Sequence, residues 1–365
     1  MNGSFDPGDF RLAPEPMAPL PEIDRREITG VFLRIGLVLS LMMLLHIGLS
    51  LVLSVLLRTF FPAFAARPEA VWVADSIPFD LLVLPLCIFL LSLLPQRVPA
   101  KQSLGKGGYF AALAVSCTLL VAGSMIGTTV SSVIESLTHT PPSSASDYLG
   151  QGNFFIALLC VGILAPVMEE LFFRRALMNA LGRFGEGPAI LVSALVFGLG
   201  HGNFTQFFFA FGLGLAFGYI YAKSGRVWLT ILPHAVINSV STVLSFFVLP
   251  RMEPIYDWLE NLENLPDPEM MLSEISQIIW PVLGLLAYEG ILYGGALVGL
   301  ILFCVYFRRI RLERAEYVIL PPEGYGTFAH PLSGGDLVGP AFRNVGTWLF
   351  LIVCAGYFVL SILPA

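Results

Sequence analysis

Two adjacent carboxylates, Glu169 and Glu170, interrupt an otherwise apolar stretch that runs from Ala165 to Asn179. An ionised side chain at the centre of a bilayer costs about 3 kcal/mol or more on insertion scales, so the pair must face a protein interior, a wet cavity or a partner. Arg174 is the nearest candidate partner: it follows Glu170 by four residues, on the same helical face and with acid before base. Further along, Phe197 and His201 share one helical face, and His234 and Asn238 share another. Each polar group would be costly to bury alone, but gathered around a small cavity they can satisfy one another. Their types suit hydrolysis. A carboxylate and a histidine can activate water, while a second histidine and an amide can donate hydrogen bonds to a developing oxyanion. Serine chemistry is less attractive, because Ser193 and Ser239 sit in no Gly-x-Ser-x-Gly turn.

No single apolar helix could house this group, so other segments must enclose it. The composition says what they are: of 365 residues, 56% are hydrophobic and only 13% charged, about half the charged share of a soluble domain. With a mean hydropathy of +0.78, the chain reads as all-α, a polytopic transmembrane helix bundle. Runs long enough to span, or nearly so, fall at 31–57, 77–95, 109–134, 154–178, 188–202, 204–222, 228–249, 278–306 and 345–363. That predicts about nine spans, of which the fifth is shortest. Lys and Arg gather on alternate loops: before the first run, and after the second (Arg97, Lys101, Lys106), fourth (Arg174, Arg175, Arg183), sixth (Lys223, Arg226) and eighth (Arg308, Arg309, Arg311, Arg314). The bias predicts a cytoplasmic N-terminus, with the plasma membrane as the expected location. No tract resembles a nucleic-acid-binding arm. Five scattered cysteines without a Cys-x-x-Cys pair suggest neither a disulfide framework nor a thiolate metal site.

The chain therefore divides into a flexible cytosolic lead (1–29), three N-terminal spans (30–148), a core of four helices carrying the polar motifs (149–249), an acidic outer loop (250–277) and two C-terminal spans (278–365) with a cytosolic loop at 307–344. The acidic loop reads as a solvated, partly helical lid or spacer rather than a metal site. Outside the motifs, His46 is expected to be packed or cavity-facing, Asp80 to cap a helix N-terminus, and Arg34 to snorkel. Glu289 is expected in a structural or substrate-contact role. The pairs Gly214/Gly218, Gly290/Gly294 and Gly295/Gly299 allow close helix contact. Glu169 precedes Arg174 by five positions, so it is expected roughly 7 Å from the inner surface.

Glu169-Glu170-x-x-x-Arg174, Phe197-x-x-x-His201 and His234-x-x-x-Asn238, in that order on successive apolar segments, resemble the signature of the CPBP intramembrane proteases. That family includes the eukaryotic CAAX prenyl endopeptidases and bacterial proteins linked to bacteriocin self-immunity. The resemblance covers roughly residues 154–247. It implies that Glu169 and His201 activate the attacking water, that His234 and Asn238 stabilise the oxyanion, and that Glu170 and Arg174 support the site or contact substrate, with Phe197 beside them. The expected substrate is a membrane-associated protein or peptide met in the lipid bilayer. Glu169, His201 and His234 could also bind zinc, as in a metalloprotease, with one position open for water. A metal-free glutamate mechanism fits equally, and His-Glu-x-x-His is absent. Two rival readings are a non-catalytic bacteriocin-immunity or membrane scaffold protein, and a transporter using the carboxylates as a relay. The latter is disfavoured by the absence of an internal repeat.

Overall fold

The computed structural model describes residues 21–142, 149–252, 267–320 and 330–363. Half of the acidic outer loop (253–266) and part of the cytosolic loop at 307–344 lie outside the described residues. Lipid offers a backbone no hydrogen-bond partners, so the apolar runs close their own bonds as helices. All nine predicted runs are helical, but they do not all qualify as spans. Seven helices are long and apolar enough to cross a membrane: α1 (Arg25–Phe60), α2 (Glu69–Ser92), α3 (Gly105–Thr138), α4 (Phe154–Phe184), α6 (Phe204–Ser224), α7 (Trp228–Phe247) and the apolar part of α8 (Pro268–Tyr306). Between α4 and α6, α5 (Glu186–Gly200) has 15 residues. At 1.5 Å per residue it reaches about 22 Å, short of the roughly 30 Å hydrocarbon layer. The last two helices, α9 (Gly334–Phe342) and α10 (Val345–Ser361), meet at 78° and form at most one further span. The chain is an all-α integral membrane protein with seven or eight candidate spans among the described residues.

The loops predicted to share one side do meet. A small sheet joins β1 (Glu22–Ile23), just before α1, in parallel to β2 (Val318–Ile319), after α8, and β2 pairs antiparallel with β3 (His330–Pro331). Arg97 bridges to Glu313 at 3.0 Å and to Glu316 at 2.7 Å. Arg183 reaches Glu27 at 2.6 Å, and Lys223 pairs with Glu186. The segments flanking α1, α2, α4, α6 and α8 are thus tied into one charged face.

One expectation fails here. Arg174 is not a loop residue: α4 continues to Phe184, and the Arg174 side chain is fully buried. Glu169 consequently lies 15 residues, about 22 Å, from that end of the helix, deep in the span rather than 7 Å from its surface.

The interior is shaped by breaks in the helical ladders. Buried side chains of α1, α2, α4, α5, α6 and α10 form one apolar cluster, among them Met42, Leu91, Phe172, Phe197, Tyr221 and Phe350. Leu44, Leu51 and Val55 on α1 point outward, as lipid contact requires. Proline inside a helix removes the bond to the carbonyl four residues back. Pro233 in α7 frees the Leu229 carbonyl, which accepts the Tyr109 hydroxyl of α3 at 3.0 Å. Pro166 in α4 frees the Gly162 carbonyl, which accepts Ser239 Oγ of α7 at 3.2 Å. The glycine pairs divide. Gly214 and Gly218 pack α6 against Ala194 and Ile190 of α5, and Gly295 and Gly299 pack α8 against Cys117 and Ala114 of α3. Gly290 and Gly294 meet no neighbour among the described residues.

Candidate active site

Every labelled helix except α9 contributes to one cavity of about 540 Å³. Glu169, Phe197, His201, His234 and Asn238 all line it. The sequence-predicted residues are therefore brought together from α4, α5 and α7, with Glu170 and Arg174 packed directly behind them.

Glu170 is held from two sides. Arg174 Nε donates to its Oε2 at 3.1 Å, and His234 Nδ1 lies 3.1 Å from its Oε1. The remaining guanidinium capacity is also used: Arg174 Nη1 donates to Ser193 Oγ at 2.9 Å, and that hydroxyl donates to the Phe173 carbonyl at 2.9 Å. With both Glu170 and Arg174 at 0% exposure, each charge survives only because the other is there. Ser193, whose one proton goes to Phe173, is a structural link in this network. The next residue back, Glu169, is turned by about 100° around the helix and opens onto the cavity. Its Oε2 lies 3.6 Å from His234 Nε2.

His201 ends α5. Its Nδ1 lies 2.8 Å from the Phe197 carbonyl. A carbonyl only accepts, so Nδ1 carries the proton and the neutral ring keeps its lone pair on Nε2. The turn that follows needs Gly202 at φ +66°, where a Cβ would strike Tyr357. Two residues outside the predicted set steady it. Asn203 donates to the His201 carbonyl at 2.9 Å and to Gln206 Oε1 at 2.7 Å, while its Oδ1 caps α6 through the Gln206 N–H. The Asn-x-x-Gln spacing ahead of an apolar run resembles a capping box, which is the signal that could have revealed them.

Asn238 is positioned by a defect in α4. Between Leu158 and Leu164 the helix widens into a π turn, and the Ala165 N–H bonds Cys160 rather than Val161. The Val161 carbonyl is left open, and Asn238 Nδ2 donates to it at 3.1 Å. An amide has two N–H groups, so one remains for the cavity. Phe197 sits at the hub, with its ring 5.0 Å from His201, 5.7 Å from His234 and 5.2 Å beneath the Arg174 guanidinium.

Residues read individually fare differently. His46 does face the cavity, and its Nε2 bonds Asp75 Oδ1 at 2.8 Å. Asp80 is not a cap. The span begins at Glu69, so Asp80 falls within it, in a π turn directly after Pro78, and is buried at 1% exposure. In α8 the cavity is reached by Tyr288 and not by Glu289. Among the described residues no group of three His, Cys, Asp or Glu side chains is assembled to hold a metal ion. His234 directs one nitrogen to each glutamate, which leaves the zinc reading without a preformed ligand set.

Comparison with known proteins bears on this same stretch. Residues 151–240 match the family described as Type II CAAX prenyl endopeptidase Rce1-like. A Bacillus subtilis protein named "Putative membrane peptidase YdiL" is 28% identical over 106 residues, which cover 29% of this chain and 41% of that protein. No solved structure matches. The stretch similar to that family runs from α4 into α7 and carries Glu169, Phe197, His201, His234 and Asn238. The match spans about two-fifths of the relative's length.

Proposed function

We propose that the protein is an intramembrane endopeptidase that hydrolyses a peptide bond in a membrane-associated protein or peptide, as a CAAX-type protease would, with water activated by its own side chains. The observation that carries this reading is the division of labour between adjacent glutamates. Glu170 is fully bonded, whereas Glu169 opens onto the cavity shared with His201, His234 and Asn238.

In this mechanism a water molecule held by Glu169 and His201 Nε2 attacks the carbonyl carbon and gives its proton to one of them. The new oxyanion receives the free N–H of Asn238, a donor already fixed by its bond to Val161. His234 bridges the two carboxylates. Bonded to Glu170 through Nδ1 and 3.6 Å from Glu169 through Nε2, as an imidazolium it would balance the charge of Glu169 as the proton moves. Collapse of the tetrahedral intermediate breaks the C–N bond, and the proton passes to the departing amine. Low dielectric strengthens each of these interactions. The charged face, with its Arg97, Arg183 and Lys223 bridges, is cytoplasmic in this reading, and the plasma membrane is the proposed location.

The test compares new protein termini in membranes from cells making wild-type protein or Glu169→Gln at matched levels. Termini present only with the wild type are expected, and they would name the substrate. Identical profiles would overturn the peptidase reading.

A further inference from the structure

The cavity has a second polar wall, formed by α2. Trp72, Asp75, Ser76, Phe79 and Asp80 all line it. The spacing i, i+3, i+4, i+7, i+8 is one continuous helical face, so α2 turns a mixed aromatic and acidic stripe toward Glu169. Two members have unused hydrogen-bonding capacity: Asp80 Oδ1 and Trp72 Nε1 are buried and without a partner among the described residues. Asp75, by contrast, is bonded to His46. The lining as a whole contains three carboxylates (Asp75, Asp80, Glu169) and three histidines (His46, His201, His234), with no lysine or arginine among the described residues. Arg174, the cation nearest the motif, is consumed by Glu170 behind the wall.

A buried carboxylate without a partner is among the costliest states a fold can hold. Such a group in a native structure calls for an explanation, and at a cavity wall a bound molecule can supply one. A basic side chain entering a membrane has the mirror-image problem, since it too must find a counter-charge. We propose that Asp80 is a specificity residue of this cavity, receiving the lysine or arginine side chain of a bound polypeptide whose scissile bond faces Glu169 and His201. The proposal rests on the peptidase reading for its substrate. The aromatic rings of Trp72 and Phe79 flank the stem of such a side chain, a setting that suits its apolar methylenes.

The test is a binding measurement, so it does not depend on turnover. The Glu169→Gln protein is reconstituted in phosphatidylcholine nanodiscs. It is titrated with N-acylated, C-amidated fluorescent peptides in which a single lysine, or an isosteric norleucine, is walked through successive positions. Blocking both ends makes the lysine the sole cation. At one position the lysine peptide is expected to bind roughly 30-fold tighter than its norleucine counterpart, the scale set by desolvated charge pairs. Adding Asp80→Asn is expected to abolish the difference. Equal binding at every position, or a difference that persists with Asp80→Asn, would overturn the assignment. Should Asp80→Asn fail to accumulate, the lysine-to-norleucine comparison in the Asp80 protein still decides, because absence of discrimination there is sufficient to reject it. Discrimination that depends on Asp80, in a protein whose wild-type form leaves all peptides intact, would uphold the cation site and reject the peptidase reading.

Discussion

The two walls of the cavity carry buried acids and treat them in opposite ways. On α4, Glu170 has both oxygens engaged, by Arg174 and His234, and even the outer nitrogen of that arginine is anchored on Ser193. On α2, Asp80 is equally withdrawn from solvent, yet one of its oxygens has no partner among the described residues, and the same is true of the Trp72 indole N–H. A polar network that must hold geometry is stable only when every member is satisfied. A group that must meet an incoming molecule has to keep capacity in reserve. Glu169 falls on the second side of this division despite being the sequence neighbour of Glu170, because one step along a helix redirects a side chain by about 100°.

The largest effect should come from the open carboxylate on α4. Glu169→Gln keeps the shape and removes the base, so cleavage of a membrane substrate should fall about 10²–10⁴-fold, with the thermal unfolding midpoint in detergent little changed. A cleaving Glu169→Gln protein would erase the contrast between the two glutamates. Arg174→Ala attacks the closed network instead. It leaves Glu170 buried and unpaired, an error worth about 3–5 kcal/mol, and should show as poor accumulation and a lowered unfolding midpoint. If that variant unfolded like the wild type, Glu170 would not be held as an ion pair, and the two walls would differ less than their geometry implies. Asn238→Ala is smaller and more selective. Loss of one oxyanion donor should lower kcat by about 10²–10³-fold with KM nearly constant, a split that a purely structural role in the α4–α7 contact would not produce.

Much of this arrangement was legible in the sequence. Hydropathy located α1 to α8 and α10, though not α9, and the alternation of basic loops anticipated which of them share a face. The four-residue spacings of Phe197/His201 and His234/Asn238 put the right side chains on common helical faces before any packing was known. The failures have a shared cause, which is that local patterns do not reveal distant partners. Arg174 and Arg175 look like the end of a span, since basic residues usually mark one. Only the buried Glu170–Arg174 pair shows that α4 runs ten residues further, to Phe184. Asp80 looks like a cap because Glu69, Asp75 and Pro78 depress the hydropathy of the first half of α2 and hide its true start. The 15 residues of α5 were visible as a short run, but its arrest at His201 depends on the Gly202 turn and on Asn203.

The smallest effect probes how the α7 residues are carried. Pro166 and Pro233 were plain in the sequence, but the side chains that answer them lie 73 and 124 residues away, on Ser239 and Tyr109. Tyr109 meets the carbonyl of Leu229, five residues before His234 on the same helix. Tyr109→Phe keeps the ring packed and removes only the hydroxyl, leaving that carbonyl without its donor. Interhelical hydrogen bonds in membrane proteins are worth about 1 kcal/mol, so the variant should unfold at a slightly lower temperature. Because α7 also carries His234 and Asn238, the loosened helix should blunt cleavage without abolishing it. If cleavage fell as far as with Asn238→Ala while stability held, Tyr109 would belong to the reacting site itself, and the boundary drawn between closed support and open chemistry would move outward to α3.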